Sequence, residues 1–175
     1  MRSIAARLES VLGAIDGIVR VVVVTALLSM TAVLFFNSIG RSVLNVSFVG
    51  GPALGRLLVI WLTFLGAYLA VRSRSHITVD LVRRLLPDHI VDVLTIFVGL
   101  FSAATCAWVA WLSAAFTWTR FAAGQIDPML EIPSGVFYLP VPIGACLMTL
   151  AFLQLAMVSA IRQDAGQSPA STKAS

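Results

Sequence analysis

Four long stretches of the chain run without a charged residue, and short polar segments separate them. Val21 to Gly40 fills the twenty positions between Arg20 and Arg41, the length at which an α-helix rising 1.5 Å per residue crosses the ~30 Å hydrocarbon core of a bilayer. Only fifteen residues separate Arg56 from Arg72, so a second span must reach back to about residue 53 or let the Arg56 side chain snorkel. Val93 to Thr119 is uncharged and follows Pro87 and Asp88, a first-turn proline and an acid suited to a helix N-terminus. Ile132 to Ile161 is uncharged too, but Pro133, Pro140 and Pro142 delay regular helix. The pattern predicts membrane spans at about 21–41, 53–72, 92–119 and 139–161 within a membrane domain over 21–161. Ahead of them, Ile4, Leu8, Val11, Leu12, Ile15, Ile18 and Val19 recur at helical spacing, with Arg7, Glu9, Asp16 and Arg20 largely elsewhere. This predicts an amphipathic surface helix over 1–20. No small-x-small cleavage site follows the first apolar run, so it reads as a span and not as a leader. The tail from Arg162, QDAGQSPASTKAS, is polar and rich in small residues, the composition of a disordered segment over 162–175.

Composition agrees with this reading. The 175 residues are 59% hydrophobic and 11% charged, which places the chain among all-α integral membrane proteins. A net charge of +4 would suit a nucleic-acid partner if it formed a stripe. Here the basic residues flank the apolar runs, which writes topology and excludes that class. Arg2, Arg7, Arg20, Arg72, Arg74, Arg83, Arg84, Arg162 and Lys173 fall on one side of the four spans, and Arg41, Arg56 and Arg120 on the other. Nine against three predicts cytoplasmic termini and a cytoplasmic 72–92 connection. Cys106 and Cys146 both lie in apolar runs without metal-ligand or CxxC spacing and read as packing residues at lipid depth.

The connection after Val71 concentrates charge. His76 and Asp80 are four apart, and Asp80 reaches Arg83 and Arg84 at three and four, the spacing of ordinary pairs on one helix face. A surface helix capped by Ser75, with Ile77, Leu81 and Leu85 toward the membrane, accounts for them. The competing readings are a proton relay or a metal site built from His76, Asp80, Asp88, His89 and Asp92. Both are weaker, since no compact ligand set appears and the groups sit at a span's end instead of mid-membrane. The spans hold no Asp, Glu, Lys, Arg or His between their ends, so the chain is not expected to transport alone. Serines and threonines in the spans lack a nearby base, no phosphate-cradling glycine loop occurs, and neither histidine lies where a haem-bearing bundle needs an axial ligand. No enzyme activity, cofactor or metal is expected. Gly66 and Ala70, and then Gly99, Ala103 and Ala107, repeat every four positions and read as helix-packing stripes, within the bundle or against a partner. Trp61, Trp118, Phe35, Phe36 and Tyr138 are assigned to an outer aromatic belt.

The stretch WLTFLGAYLAVRSRSHITVDLVRRLLP resembles the small permease subunit of tripartite ATP-independent periplasmic (TRAP) transporters, the DctQ-like family. The pattern shared is a WxxFLGA helix, basic residues, HIxVD and a later LP, matched by Trp61, Phe64, Leu65, Gly66, Ala67, His76, Ile77, Val79, Asp80, Leu86 and Pro87. NSIGRSVLN is similar to the family's Asn-x3-Arg-x3-Asn ending of the first span through Asn37, Arg41 and Asn45, and IPSGVFYLPVPIGACLM to its proline-rich approach to the last helix, with Pro142 and Gly144 at the PIG position. The likeness covers about residues 21–161. Pro52 and Ala53 stand where relatives usually carry acidic residues before the second span, which leaves Arg56 without that neighbour.

The resemblance implies an auxiliary subunit in the bacterial inner membrane that braces a large permease subunit. That partner would hold the substrate and sodium sites, and a periplasmic binding protein would deliver a carboxylate-bearing solute. Arg72, His76, Asp80 and Arg84 are then expected to form a cytoplasmic elbow between spans two and three. The alternative is a four-helix membrane scaffold or assembly protein unrelated to transport. The topology is directly testable. A reporter fused after Ser175 or inserted within 72–92 should register cytoplasm, and one within 121–131 periplasm. An outside C-terminus would overturn the nine-to-three assignment.

Overall fold

The computed structural model describes residues 2–43, 50–83 and 88–166, with side chains described for 12–43, 50–73, 90–91 and 93–161. Backbone groups in hydrocarbon have no water to bond, so a spanning chain satisfies them within each segment. The result is almost entirely helical: α1 (Arg2–Val43), α2 (Gly51–Arg83), α3 (Asp88–Ala122), a single turn α4 (Gly135–Tyr138) and α5 (Pro140–Gly166). Four stretches are long and apolar enough to cross a membrane: Leu12–Val43, Gly51–Ser73, Val93–Ala122 and Gly135–Ile161. This is an all-α, multi-pass membrane protein.

The helices differ from the sequence pattern at two boundaries. The surface segment expected over 1–20 is not separated from the first span, because α1 runs unbroken for 42 residues, about 63 Å at the helical rise. Gly13 and Gly17 do not interrupt it, as a single interior glycine costs only about 1 kcal/mol. The same continuity removes the helix start expected at Ser75. That residue lies inside α2, whose helix carries on from the second span through His76 and Asp80 to Arg83. The long helix α5 starts at Pro140, beside the expected 139, with the single turn α4 ahead of it, and at that first-turn position the missing proline N–H breaks no bond.

Across the membrane the helices stand in the order α1, α2, α5, α3. The α5 helix packs along both α3 and α2, α2 packs along α1, and among the described residues α1 and α3 share no contact. Glycines set the tightest approaches. A Cβ on Gly144 would lie 2.9 Å from the Phe64 Cβ and 3.0 Å from the Phe64 carbonyl oxygen, so α5 rests directly on the α2 backbone. On the other side of α5, a Cβ on Gly99 would lie 3.1 Å from the Ala156 Cβ and 3.3 Å from the Phe152 carbonyl oxygen. At the opposite end of the helices, α1 and α2 close over Gly51, where a Cβ would lie 2.9 Å from Asn37 Nδ2.

The core cluster of Val19, Leu65, Tyr68 and Ala151 joins α1, α2 and α5, with Trp61, Leu147 and Met148 packed around it. Trp61 therefore serves the core and not the outer belt, because it lies mid-way along Gly51–Ser73. Gly66 and Ala70 also depart from a packing role within the chain: nothing lies within 4 Å of a Cβ placed on Gly66, and Ala70 is exposed. Gly144→Val should cost about 1–3 kcal/mol, because the Phe64 backbone cannot yield to the new atoms. Gly66→Ala should stay within about 0.5 kcal/mol. Denaturation in detergent distinguishes the two, and equal effects would contradict this packing.

Candidate functional site

Four polar side chains meet between three helices near the end where α1 begins and α5 finishes. Tyr68 and Arg72 are one helical turn apart on α2, so both face the same neighbours. Asp16 reaches them from α1 and Gln154 from α5. The Tyr68 hydroxyl donates to Asp16 Oδ1 at 2.5 Å. Arg72 Nε donates to Asp16 Oδ2 at 2.9 Å, with Nη2 2.8 Å from the same oxygen. The remaining Nη1 donates to Gln154 Oε1 at 2.5 Å. Tyr68 is fully buried and Gln154 nearly so, while the Arg72 and Asp16 side chains keep 20% and 21% of their surface open.

Both carboxylate oxygens and all three guanidinium nitrogens are thus engaged within the chain. The arrangement is a clamp: two opposite charges and two neutral hydrogen-bonding groups satisfy one another across α1, α2 and α5, where unpaired polar atoms are costly. Sequence reasoning took Arg72 as a topological charge and a member of the cytoplasmic elbow, and Asp16 as part of a surface polar face, and passed over Tyr68 and Gln154. The available signals were the i, i+4 spacing of Tyr68 and Arg72 and the single glutamine late in an apolar run.

Cations at the opposite end are held differently. Arg41 and Arg120 sit in the last turns of α1 and α3, where exposed carbonyls favour positive charge. Arg120 lies over the Phe116 ring at 4.8 Å and the Tyr138 ring at 5.8 Å, and donates from Nη1 to Gln125 Oε1 at 2.9 Å. Arg56 lies over the Phe137 ring at 5.7 Å. Gly124, at φ +61°, ends α3 and starts a short hairpin closed by the Ile126–Pro133 bridge. In it the Asp127 carboxylate accepts from the Met129 and Leu130 amides. A hollow of about 510 Å³ beside Asn37 and Arg41 is lined by Leu34, Ser38 and Ser42 as well. All five residues belong to α1.

The other residues singled out in the sequence divide clearly. Phe64 of the WxxFLGA pattern and Gly144 of the PIG pattern touch each other, and Asn37 packs over Gly51. Pro142 is half-buried in the first turn of α5, and Gly99 and Ala103 are buried while Ala107 is exposed. Phe35, Phe36 and Trp118 are exposed, and Tyr138 stacks edge-on with Phe116 at 5.1 Å. Cys106 and Cys146 are free thiols. Of the charged connection, Arg72 belongs to the clamp. The side chains of Arg74, His76, Asp80, Arg83, Asp88, His89 and Asp92, and Arg84 altogether, lie outside the described residues.

Four apolar helices, three of them tied together by an internally satisfied polar clamp, define a multi-pass membrane protein. Residues 30–163 match the family model described as the DctQ component of tripartite ATP-independent periplasmic transporters, and the chain belongs to that family: it is a TRAP transporter small permease subunit. It is similar to the ectoine TRAP transporter small permease protein TeaB of Halomonas elongata, 26% identical over 90% of this chain and 83% of that protein. The C4-dicarboxylate TRAP transporter small permease protein DctQ of Rhodobacter capsulatus is 31% identical over 69% of this chain and 53% of its own length. The isethionate TRAP transporter permease protein DctMQ of Oleidesulfovibrio alaskensis is 29% identical over 58% of this chain, which spans 16% of that longer polypeptide. With the family shown, a scaffold unrelated to transport is not favoured.

The clamp makes a thermodynamic prediction. Asp16→Ala should destabilise the protein by about 2–3 kcal/mol, somewhat below the ~3–5 of a fully buried pair because both groups keep a fifth of their surface open. Tyr68→Phe should cost about 1–2 kcal/mol, for the lost hydrogen bond to a carboxylate. The double change Asp16→Leu with Arg72→Leu should be much less harmful than the sum of the single changes. Additive losses in detergent denaturation would show that the two residues are not coupled.

Proposed function

We propose that this subunit braces a large permease subunit of the same transporter for sodium-coupled uptake of a small, carboxylate-bearing solute handed over by a periplasmic binding protein. The observation that carries this reading is the clamp. The polar side chains that meet between the spans are bonded to one another, which suits a rigid support and leaves substrate chemistry to a partner. The DctMQ relative supports the partnership, since a stretch like this chain forms only 16% of that permease polypeptide. The C4-dicarboxylate relative supports the solute class.

In this reading the chain lies in the bacterial inner membrane with both termini cytoplasmic, following the distribution of its arginines. Arg72, His76, Asp80 and Arg84 form the cytoplasmic elbow between the second and third spans. Arg72 anchors that elbow to α1 and α5 through Asp16 and Gln154. Gentle purification from the native membrane should bring a large permease subunit with this chain, and its deletion should abolish uptake without altering which solute the remaining components bind. Isolation as a lone homo-oligomer that moves solute in liposomes would overturn the auxiliary role.

A further inference from the structure

The outward face of α3 carries an unusual pattern. Phe97, Phe101, Trp108, Trp111 and Trp118 are all exposed, Trp108 at 72% and Trp111 at 78%. With the exposed Ala104 and Ala115 between them, these positions recur at alternating intervals of four and three along the whole helix. That is the spacing of a seam that packs against another helix. The opposite face of α3 is already used: Gly99, Ala103 and Ala110 are buried, and Gly99 approaches Ala156 and the Phe152 carbonyl of α5.

Depth makes the tryptophans informative. Asp92 and Arg120 bracket the uncharged part of α3, and Cys106 lies halfway between them. At 1.5 Å per residue, Trp108 and Trp111 lie only about 3 Å and 8 Å from that midpoint, inside a hydrocarbon half-thickness of about 15 Å. Trp118, about 18 Å away on the same rise, falls at the interface where tryptophan normally anchors. An indole N–H at mid-depth finds no acceptor among lipid tails, and among the described residues neither the Trp108 nor the Trp111 N–H meets one within the chain. The other edge helix contrasts with this. Within about 10 Å of the midpoint of its uncharged run α1 exposes Val24, Leu27, Leu28, Phe35 and Phe36, and it carries no tryptophan, so these exposed side chains have no N–H that lipid leaves unpaired.

We infer that the α3 seam of Phe97, Phe101, Trp108, Trp111 and Trp118 is the docking face for a transmembrane helix of the large permease subunit, whose main-chain or hydroxyl oxygens accept the two mid-depth indole hydrogens. This rests on the partnership proposed above and adds which edge of the helix row meets the partner. Packing and interhelical hydrogen bonds drive association between membrane helices, and the seam offers both, with large aromatic anchors at its centre.

The test uses the whole complex in native membranes. A photo-crosslinking residue is placed singly at Trp108, Trp111, Val24 and Leu28, and the adducts are identified by mass spectrometry. Positions 108 and 111 should give adducts with the large permease subunit, and positions 24 and 28 lipid adducts only. In parallel, Trp108→Leu with Trp111→Leu should lower the amount of copurified large subunit at least about tenfold while the variant's own melting in detergent is unchanged. Adducts to the large subunit from α1 alone, lipid or self adducts from α3, or undiminished copurification of the double variant would each refute the seam. Failure of the unmodified chain to copurify any large subunit would instead sink the proposed function itself.

Discussion

The Asp16–Arg72 ion pair decides how this bundle holds together. Helices in hydrocarbon gain little from burying apolar surface against one another, since lipid tails are equally apolar. A charged pair is different, because neither member tolerates separation from the other in a poorly solvated setting. Asp16 comes from α1 and Arg72 from α2, so the pair ties their registers. The bond from Arg72 to Gln154 brings in α5, and the Tyr68 hydroxyl fills the second carboxylate oxygen. Beneath the clamp the core of Val19, Leu65, Tyr68 and Ala151 draws on the same three helices.

Glycines then allow the apolar length of the helices to close. Gly144 against the Phe64 backbone brings α5 onto α2, and Gly99 against Ala156 and the Phe152 carbonyl brings α3 onto α5. Two segments that mark the chain as a TRAP small permease subunit, the WxxFLGA and PIG patterns, are therefore two sides of one contact. Gly144 is the residue that this close backbone approach requires, since a side chain there would meet the Phe64 main chain.

A row of helices has two edges, and here they are chemically unlike. The exposed face of α1 holds aliphatic side chains and two phenylalanines, Phe35 and Phe36, whereas α3 exposes tryptophans at Trp108, Trp111 and Trp118. The arginines at the far end lie over aromatic rings or beside helix-terminal carbonyls, so their charge is spent on holding the helix ends. Arg56, Arg72 and Arg120 thus all serve the architecture of the bundle.

Much of the protein was legible from residue order alone. Four apolar runs, the second lengthened past Arg56, make four helices, because hydrocarbon leaves a spanning chain no other way to satisfy its backbone. The WxxFLGA, HIxVD and PIG segments were enough to point to the family. Helix boundaries were less legible: α1 and α2 run straight through residue 20 and Ser75, since polar residues mark where water begins without breaking a helix. Tertiary structure alone decided that Asp16, Tyr68, Arg72 and Gln154 meet, that Trp61 faces the core and that Gly66 faces open space. Those facts depend on the rotation and neighbour order of helices. Periodicity within one helix names its faces, but which neighbour each face meets is set by pairings between residues as far apart in the chain as Arg72 and Gln154, joined only once the helices pack.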